Sequence, residues 1–164
     1  MYIKEFEIRW ADIDANRHVA NSAFVDLLTE TRMSFLVENG FSQHDFEELQ
    51  FGPVIFSEEM YYLKEVMPNS KVTSGIELLA STEDFRYIRF AHYIFNAQGV
   101  LSVYSETFFG WFGLKERKLI VPPEKLQNAT KHLAKAENYT LLDKNTSLKN
   151  VKIPFHKKFT NSQL

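Results

Sequence analysis

Apolar and polar residues alternate over residues 2–10, with Phe6, Ile8 and Trp10 on one side and Glu5, Glu7 and Arg9 on the other. A period of two predicts a first strand. Polar residues then dominate positions 11–18, where Asp and Asn side chains compete with regular backbone pairing and predict a loop. From Asn21 the period lengthens to that of a helix. Phe24, Leu27, Leu28, Thr31 and Phe35 share one stripe, Asn21 and Ser22 are both of a type that caps a helix start, and Gly40 supplies a stop. A shorter helix is predicted over 42–49, with Gly52-Pro53 as a break behind it.

The rest of the chain alternates as strands over 54–66, 71–82, 86–96 and 100–114. Turn residues separate them at Pro68-Asn69-Ser70, Thr82-Glu83-Asp84 and Ala97-Gln98-Gly99, so the last three predict an antiparallel meander. Pro122-Pro123 ends the sheet, and a helix is predicted over 124–137. The tail differs in composition, with five Lys and one Asp between Asp143 and Lys158. The expected organisation is therefore one domain over 1–137 and a basic extension over 138–164. One strand, one long helix and a strand-rich remainder make an α+β fold. A lone amphipathic helix must be covered, because each large side chain left in water forfeits ~1.5–3 kcal/mol. The simplest cover is an antiparallel sheet curled around it.

Composition narrows the classes of function. The chain has 164 residues and a net charge of −2, which gives no basic footprint for nucleic acid or anionic lipid. No stretch approaches the ~20 apolar residues that span a membrane, and residues 1–7 lack a signal-peptide core, so a cytoplasmic location is expected. The absence of cysteine removes thiol nucleophiles, disulfides and Cys-ligated metals. Fifteen Phe stand against two Trp, an aromatic excess that asks for a location.

No G-x-S-x-G, S-x-x-K, G-x-G-x-x-G, P-loop or H-E-x-x-H pattern occurs. The one dense cluster is Asp12-Ile13-Asp14-x-x-x-His18-x-x-Asn21, set between the first strand and the long helix. A helix start presents unpaired N–H groups and the positive end of its dipole, which suit a developing oxyanion. Asp14 would attack a carbonyl or activate water while the N–H near Asn21 polarises the oxygen. Plainer readings stand beside this one. Asp12 and Asp14 would also serve as turn formers, the commoner role for such a loop; Asp12, Asp14 and His18 as metal ligands is a weak pattern; His18 could simply hydrogen-bond the loop and Asn21 cap the helix.

The segment from Arg9 to Phe24 resembles the signature of hot-dog-fold acyl-CoA thioesterases of the 4-hydroxybenzoyl-CoA thioesterase-like group. That signature runs aromatic-x-Asp-x-Asp-x-x-Gly-His-Val-x-Asn-x-x-Tyr into a helix with Glu-x-x-Arg or Glu-x-Arg, here Glu30-Thr31-Arg32. The likeness continues through Pro53-Val54-Ile55, Tyr62-Leu63-Lys64, Gln98-Gly99-Val100-Leu101 and Val121-Pro122-Pro123-Glu124, covering about residues 2–130. It implies a sheet wrapped around one helix, hydrolysis of a CoA or acyl-carrier thioester without cofactor or metal, and a homodimer or homotetramer with the site at the subunit interface. It implies Asp14 as the catalytic carboxylate, the helix start at Asn21 as the oxyanion site, and His18 as a loop-orienting or substrate-contacting group. Arg17 replaces a frequent Gly, Ala20 a frequent Asn and Phe24 a frequent Tyr. Arg17 and Phe24 are expected on the substrate side, and Arg86 in a region that often contacts the nucleotide of CoA. Related folds also host non-catalytic acyl-CoA sensors and hydratases or dehydratases, the alternatives carried forward.

Overall fold

Helix α1, Asn21–Glu38, lies on one face of a seven-stranded sheet and organises everything else. Residues 1–143 are described by the computed structural model, so the expectations for 144–164 lie outside the described residues. Around α1 the chain forms β1 (Tyr2–Glu7), a 3-10 turn (Trp10–Asp12), α2 (Gln43–Leu49), β2 (Phe51–Tyr62), β3 (Lys71–Ser81), β4 (Tyr87–Phe95) and β5 (Leu101–Gly113). It closes with β6 (Lys118–Ile120), α3 (Glu124–Lys131) and β7 (Lys135–Leu141). The strand order is β1-β3-β4-β5-β2, antiparallel throughout, with β6 on β5 and β7 parallel to β3. This is the hot-dog arrangement, with the expected meander in its middle.

The predicted helical stripe is largely the buried one: Phe24, Leu28, Thr31 and Phe35 are buried, joined by Ala23 and Leu36, while Leu27 is half-buried at its margin. The N-terminal half of α1 packs with Ile8, Val72, Ile94 and Val103, and its C-terminal half with Ile76, Ile88, Phe109 and Trp111. Where two hydroxyls enter this interface they satisfy each other: Thr31 Oγ1 donates to the Leu27 carbonyl at 2.7 Å and is hydrogen-bonded to Ser74 Oγ at 2.8 Å. The sheet therefore has two ends. One end carries the start of α1, Lys71 and Tyr62. The other carries Ser81, Tyr87 and Phe51.

Three expectations are corrected. Trp10 does not extend the first strand: pairing with β3 stops at Glu7, the chain coils into the 3-10 turn, and the indole is 85% exposed. Gly52-Pro53 is no break. Both residues lie inside β2, where Pro53 pairs with Trp111 and its missing N–H is tolerated because the other side of β2 pairs with no strand among the described residues. The third helix ends at Lys131, and residues 135–141 form β7 across the boundary expected after residue 137. β1 covers β3 only from Lys71 to Ile76, and β7 takes over from Leu78 to Ser81, pairing backbone that would otherwise be an exposed sheet edge.

Asp45 fastens α2 to α3. It accepts from the Ser42 N–H and hydroxyl and from Lys125 Nζ. The hydrogen bond from Lys125, with those from Ser42, lowers its carboxyl to about 2. A depressed carboxylate contributes stability that is complete above the ordinary Asp value and is lost as pH falls through the folded one. Acid unfolding followed by circular dichroism is expected to show a weaker loss between about pH 4 and pH 2 in Asp45→Asn than in the wild type.

Candidate active site

Two carboxylates two residues apart meet different fates in the loop between β1 and α1. Asp12 is buried and bound to one residue: its Oδ2 accepts the Arg9 backbone N–H at 2.8 Å and its Oδ1 accepts Arg9 Nη2 at 2.7 Å. That clamp holds the 3-10 turn, and the hydrogen bond from the Arg9 side chain keeps the Asp12 carboxyl below the usual carboxylate range. Asp14 is exposed. Its Oδ1 accepts the backbone N–H groups of Asn16 at 2.8 Å and His18 at 3.2 Å, which fixes the carboxylate on the loop and leaves Oδ2 without a partner among the described residues. Asp14 is thus both a turn former and a carboxylate open to a guest. The metal reading has no support here: among the described residues no three His, Asp or Glu side chains converge.

The loop reverses sharply. Asp14 and His18 pair through the Asp14 N–H and the His18 carbonyl at 2.9 Å, and Arg17 takes the left-handed backbone conformation at φ 64°. A side chain resists that conformation and glycine does not. Arg17 is exposed and stands clear of the cleft described next.

Asn21 is the first residue of α1, not its cap. Ala20 occupies the capping position and has no side-chain oxygen to offer, so the N–H groups of Asn21 and Ser22, at the positive end of the helix, have no partner among the described residues. Asp14, His18, Asn21 and Phe24 come together in one cleft of about 350 Å³. The opposite wall comes from Tyr62, the last residue of β2, and from Leu63, Lys64, Glu65 and Val66, which follow it. Phe24 is 4% exposed and packs on Tyr62 with ring centroids 6.0 Å apart. His18 Nε2 lies 3.0 Å from Glu65 Oε2, tying loop to wall. Lys64 and Glu65 are not legible as site residues, because long-range contacts bring them to the cleft: the His18–Glu65 pair and the Val19 N–H bond to the Val66 carbonyl at 3.0 Å.

Arg86 is not brought to this cleft within one chain. It sits after β3, and Asp14 lies before the other end, roughly 30 Å away along the strand. Its Nε is 3.7 Å from Asp84 Oδ2.

A model of the thioesterase-like superfamily matches residues 8–130. The chain belongs to that superfamily. No curated protein matches it by sequence. Solved structures show the same fold at low identity. A Staphylococcus aureus protein in complex with CoA is 17% identical, with a TM-score of 0.73 over 80% of this chain and 82% of that one. A 1,4-dihydroxy-2-naphthoyl-CoA thioesterase from Synechocystis is 17% identical, with a TM-score of 0.72 over 80% and 96%. A DHNA-CoA thioesterase from Staphylococcus aureus is 20% identical, with a TM-score of 0.67 over 73% and 78%.

The two carboxylates of this thioesterase-like chain are separable by experiment. Asp12→Ala is expected to lower the urea unfolding midpoint, while Asp14→Asn, whose amide oxygen still accepts the two loop N–H groups, leaves it near wild type. At position 17 the left-handed backbone sets the order: Arg17→Gly is expected to unfold at the same or higher urea than wild type. Arg17→Val should be less stable by about 1–2 kcal/mol, because a branched side chain fits φ 64° worst.

Proposed function

We propose that this chain hydrolyses acyl thioesters of CoA or of an acyl carrier, using Asp14 as nucleophile or general base and the open N–H groups at Asn21 and Ser22 as the oxyanion site. The observation that carries the reading is the cleft itself, where an exposed carboxylate with a free oxygen faces the uncapped start of an 18-residue helix. The superfamily match and the fold shared with CoA-thioester hydrolases support it.

In the general-base form, Asp14 takes a proton from water, the water oxygen bonds to the thioester carbon, and the carbonyl oxygen becomes an oxyanion facing the helix N–H groups. Collapse breaks the C–S bond, and the leaving thiolate recovers the proton. In the nucleophilic form Asp14 bonds to the carbonyl carbon and expels the thiolate, and water then hydrolyses the mixed anhydride. Both forms place negative charge where the dipole of α1 is positive. His18, bound to Glu65, orients the loop, and Phe24 with Tyr62 supplies apolar wall.

The active unit in this reading is a homodimer or a tetramer built from it. β2 is twelve residues long and its outer side pairs with nothing among the described residues. A second β2 running antiparallel across a two-fold axis would satisfy that edge. Such pairing sets the Tyr62 end of one copy against the Phe51 end of the other. It also carries the Arg86 end of the partner toward the Asp14 cleft, which is where a contact from Arg86 to the nucleotide would arise.

Asp14→Asn is expected to lower kcat for acyl-CoA hydrolysis by about 10²-fold or more, measured by thiol release over a chain-length series. Undiminished turnover in the variant would remove Asp14 from the mechanism. Saturable acyl-CoA binding with no turnover by the wild type would replace hydrolysis with the sensor reading. Sedimentation equilibrium is expected to give a dimer or a multiple of it.

A further inference from the structure

The folded body and the segment that follows it carry opposite charge. Residues 144–164 hold five Lys and no Asp or Glu, while residues 1–143 hold 14 Lys and Arg against 21 Asp and Glu, a net charge of −7. A basic segment tethered to an acidic body is drawn onto it at an effective concentration set by its own length. Val151, Ile153, Phe155 and Phe159 stand among those lysines, so the surface that receives the segment must offer apolar area as well as carboxylates.

The face of the sheet turned away from α1 offers both. Among the described residues all three helices pack on the α1 side, where Phe46 of α2 and Leu126 and Ala129 of α3 join the core. The other side is bordered by β7, whose Ala136 packs beside Tyr93 and Tyr104. Those two rings lie 5.5 Å apart, and Tyr61, 46% exposed, continues the row at 6.2 Å from Tyr104. Carboxylates are set among the rings: Tyr61 donates to Glu59 at 2.6 Å, Tyr104 to Glu106 at 2.9 Å and Tyr93 to Glu77 at 3.2 Å. A neutral hydroxyl fixes a carboxylate without cancelling its charge. Among the described residues Arg89 pairs with Glu106 at 3.3 Å and the amino terminus lies 3.6 Å from Glu77, while Glu59 has no ion pair. Arg89 also shows how this face receives a cation. Its guanidinium carbon stands 5.2 Å from the centre of the Phe108 ring while Nη1 reaches Glu106. A lysine beside Tyr61 and Glu59 would find the same pair of groups, a ring and a carboxylate.

The point of departure suits this surface. β7 runs parallel to β3 and the Leu142 N–H bonds to the Ser81 carbonyl, so the chain leaves the sheet at the Tyr87 end. Glu59 lies four strand spacings across and about three residues along, roughly 22 Å away. Lys149 and Lys152, seven and ten residues beyond Leu142, reach up to about 23 and 33 Å. The nearer hollow between β3, α3 and β7 is lined by Lys131 and Lys135 as well as Glu83, so it offers a basic segment no net attraction.

We propose that residues 144–164 dock on the outer face of the sheet of their own chain, with lysines beside Glu59 and Glu106 and apolar side chains on the rings of Tyr61, Tyr104 and Phe108. The docked segment covers a face that a second copy would otherwise be free to use.

A carbodiimide, which joins an amine to a carboxylate in direct contact, tests this on the full chain. Unlabelled and isotope-labelled protein are mixed, and the joined peptides are read by mass spectrometry. Joins from Lys149, Lys152, Lys157 or Lys158 to Glu59 or Glu106 that stay within one isotope species support the docking. Joins between the two species, joins confined to other surfaces such as Glu48 on α2, or none at all overturn it. Trypsin cleavage after Lys149 gives an independent reading. It is expected to quicken about tenfold in Glu59→Lys and to stay at the wild-type rate in Glu48→Lys, which makes the same change of charge elsewhere. No acceleration in Glu59→Lys, or equal acceleration in both, overturns the docking. Lys157→Glu with Lys158→Glu repels the segment without altering the sheet, so its acceleration of the same cleavage is expected even if Glu59→Lys disturbs β2, and its failure to accelerate counts against the proposal. Cleavage that slows as the protein is concentrated assigns the face to a second copy and overturns it.

Discussion

The structure depends on one helix having to be covered by one sheet. α1 is too apolar along its stripe to stand in water, so the sheet of β1, β3, β4, β5 and β2 covers it along both halves. Covering the stripe fixes the direction of the helix and thereby where its two termini go. The N-terminus emerges beside the loop that follows β1, with Ala20 in the capping position. A Ser or Asp there would satisfy the first N–H groups and stabilise the helix. The residue present leaves them open, and they face a cleft with a carboxylate in it. The donor site is therefore a consequence of the same packing that makes the core.

Loop and core divide the polar work between them. Asp12 is spent on Arg9 and sets the turn, which frees Asp14 from structural duty beyond its own two N–H contacts. Arg17 completes the reversal in a backbone conformation that suits glycine better, so the loop carries some strain beside the cleft. Inside the sheet, Thr31 with Ser74, and Arg32 with Glu58, His92 and Thr107, are closed networks. Breaking either leaves a buried polar group without a partner, a greater loss than the bond itself contributes.

Much of this was legible because local pattern and tertiary demand agreed. The α1 stripe, the three-strand meander and the Asp14–His18–Asn21 grouping all follow from spacing along the chain. The misreadings share a cause: a long-range partner outvoted local propensity. Pro53 reads as a breaker until the free edge of β2 makes its missing N–H harmless. Residues 132–137 continue a helical pattern until the uncovered part of β3 recruits 135–141 as a strand. Trp10 fits the alternation that Asp12 interrupts by capping the turn. Glu58 gave no signal at all, because its meaning depends on Arg32, 26 residues away on another element.

The aromatic excess gathers in several places, among them the three that follow. Phe24 and Tyr62 stand at the Asp14 cleft. Phe90, Phe109 and Trp111 belong to a cavity at the far end of α1. Phe56, Tyr87 and Phe108 cluster on the opposite face of the sheet, with Arg89 over the Phe108 ring. A single chain thus holds the Asp14 carboxylate and the ring-lined cavity at opposite ends of one helix. Either the guest is long enough to run the length of α1, or the two halves belong to different copies. In the proposed dimer, the pairing that would satisfy the β2 edge left open among the described residues would also join the halves.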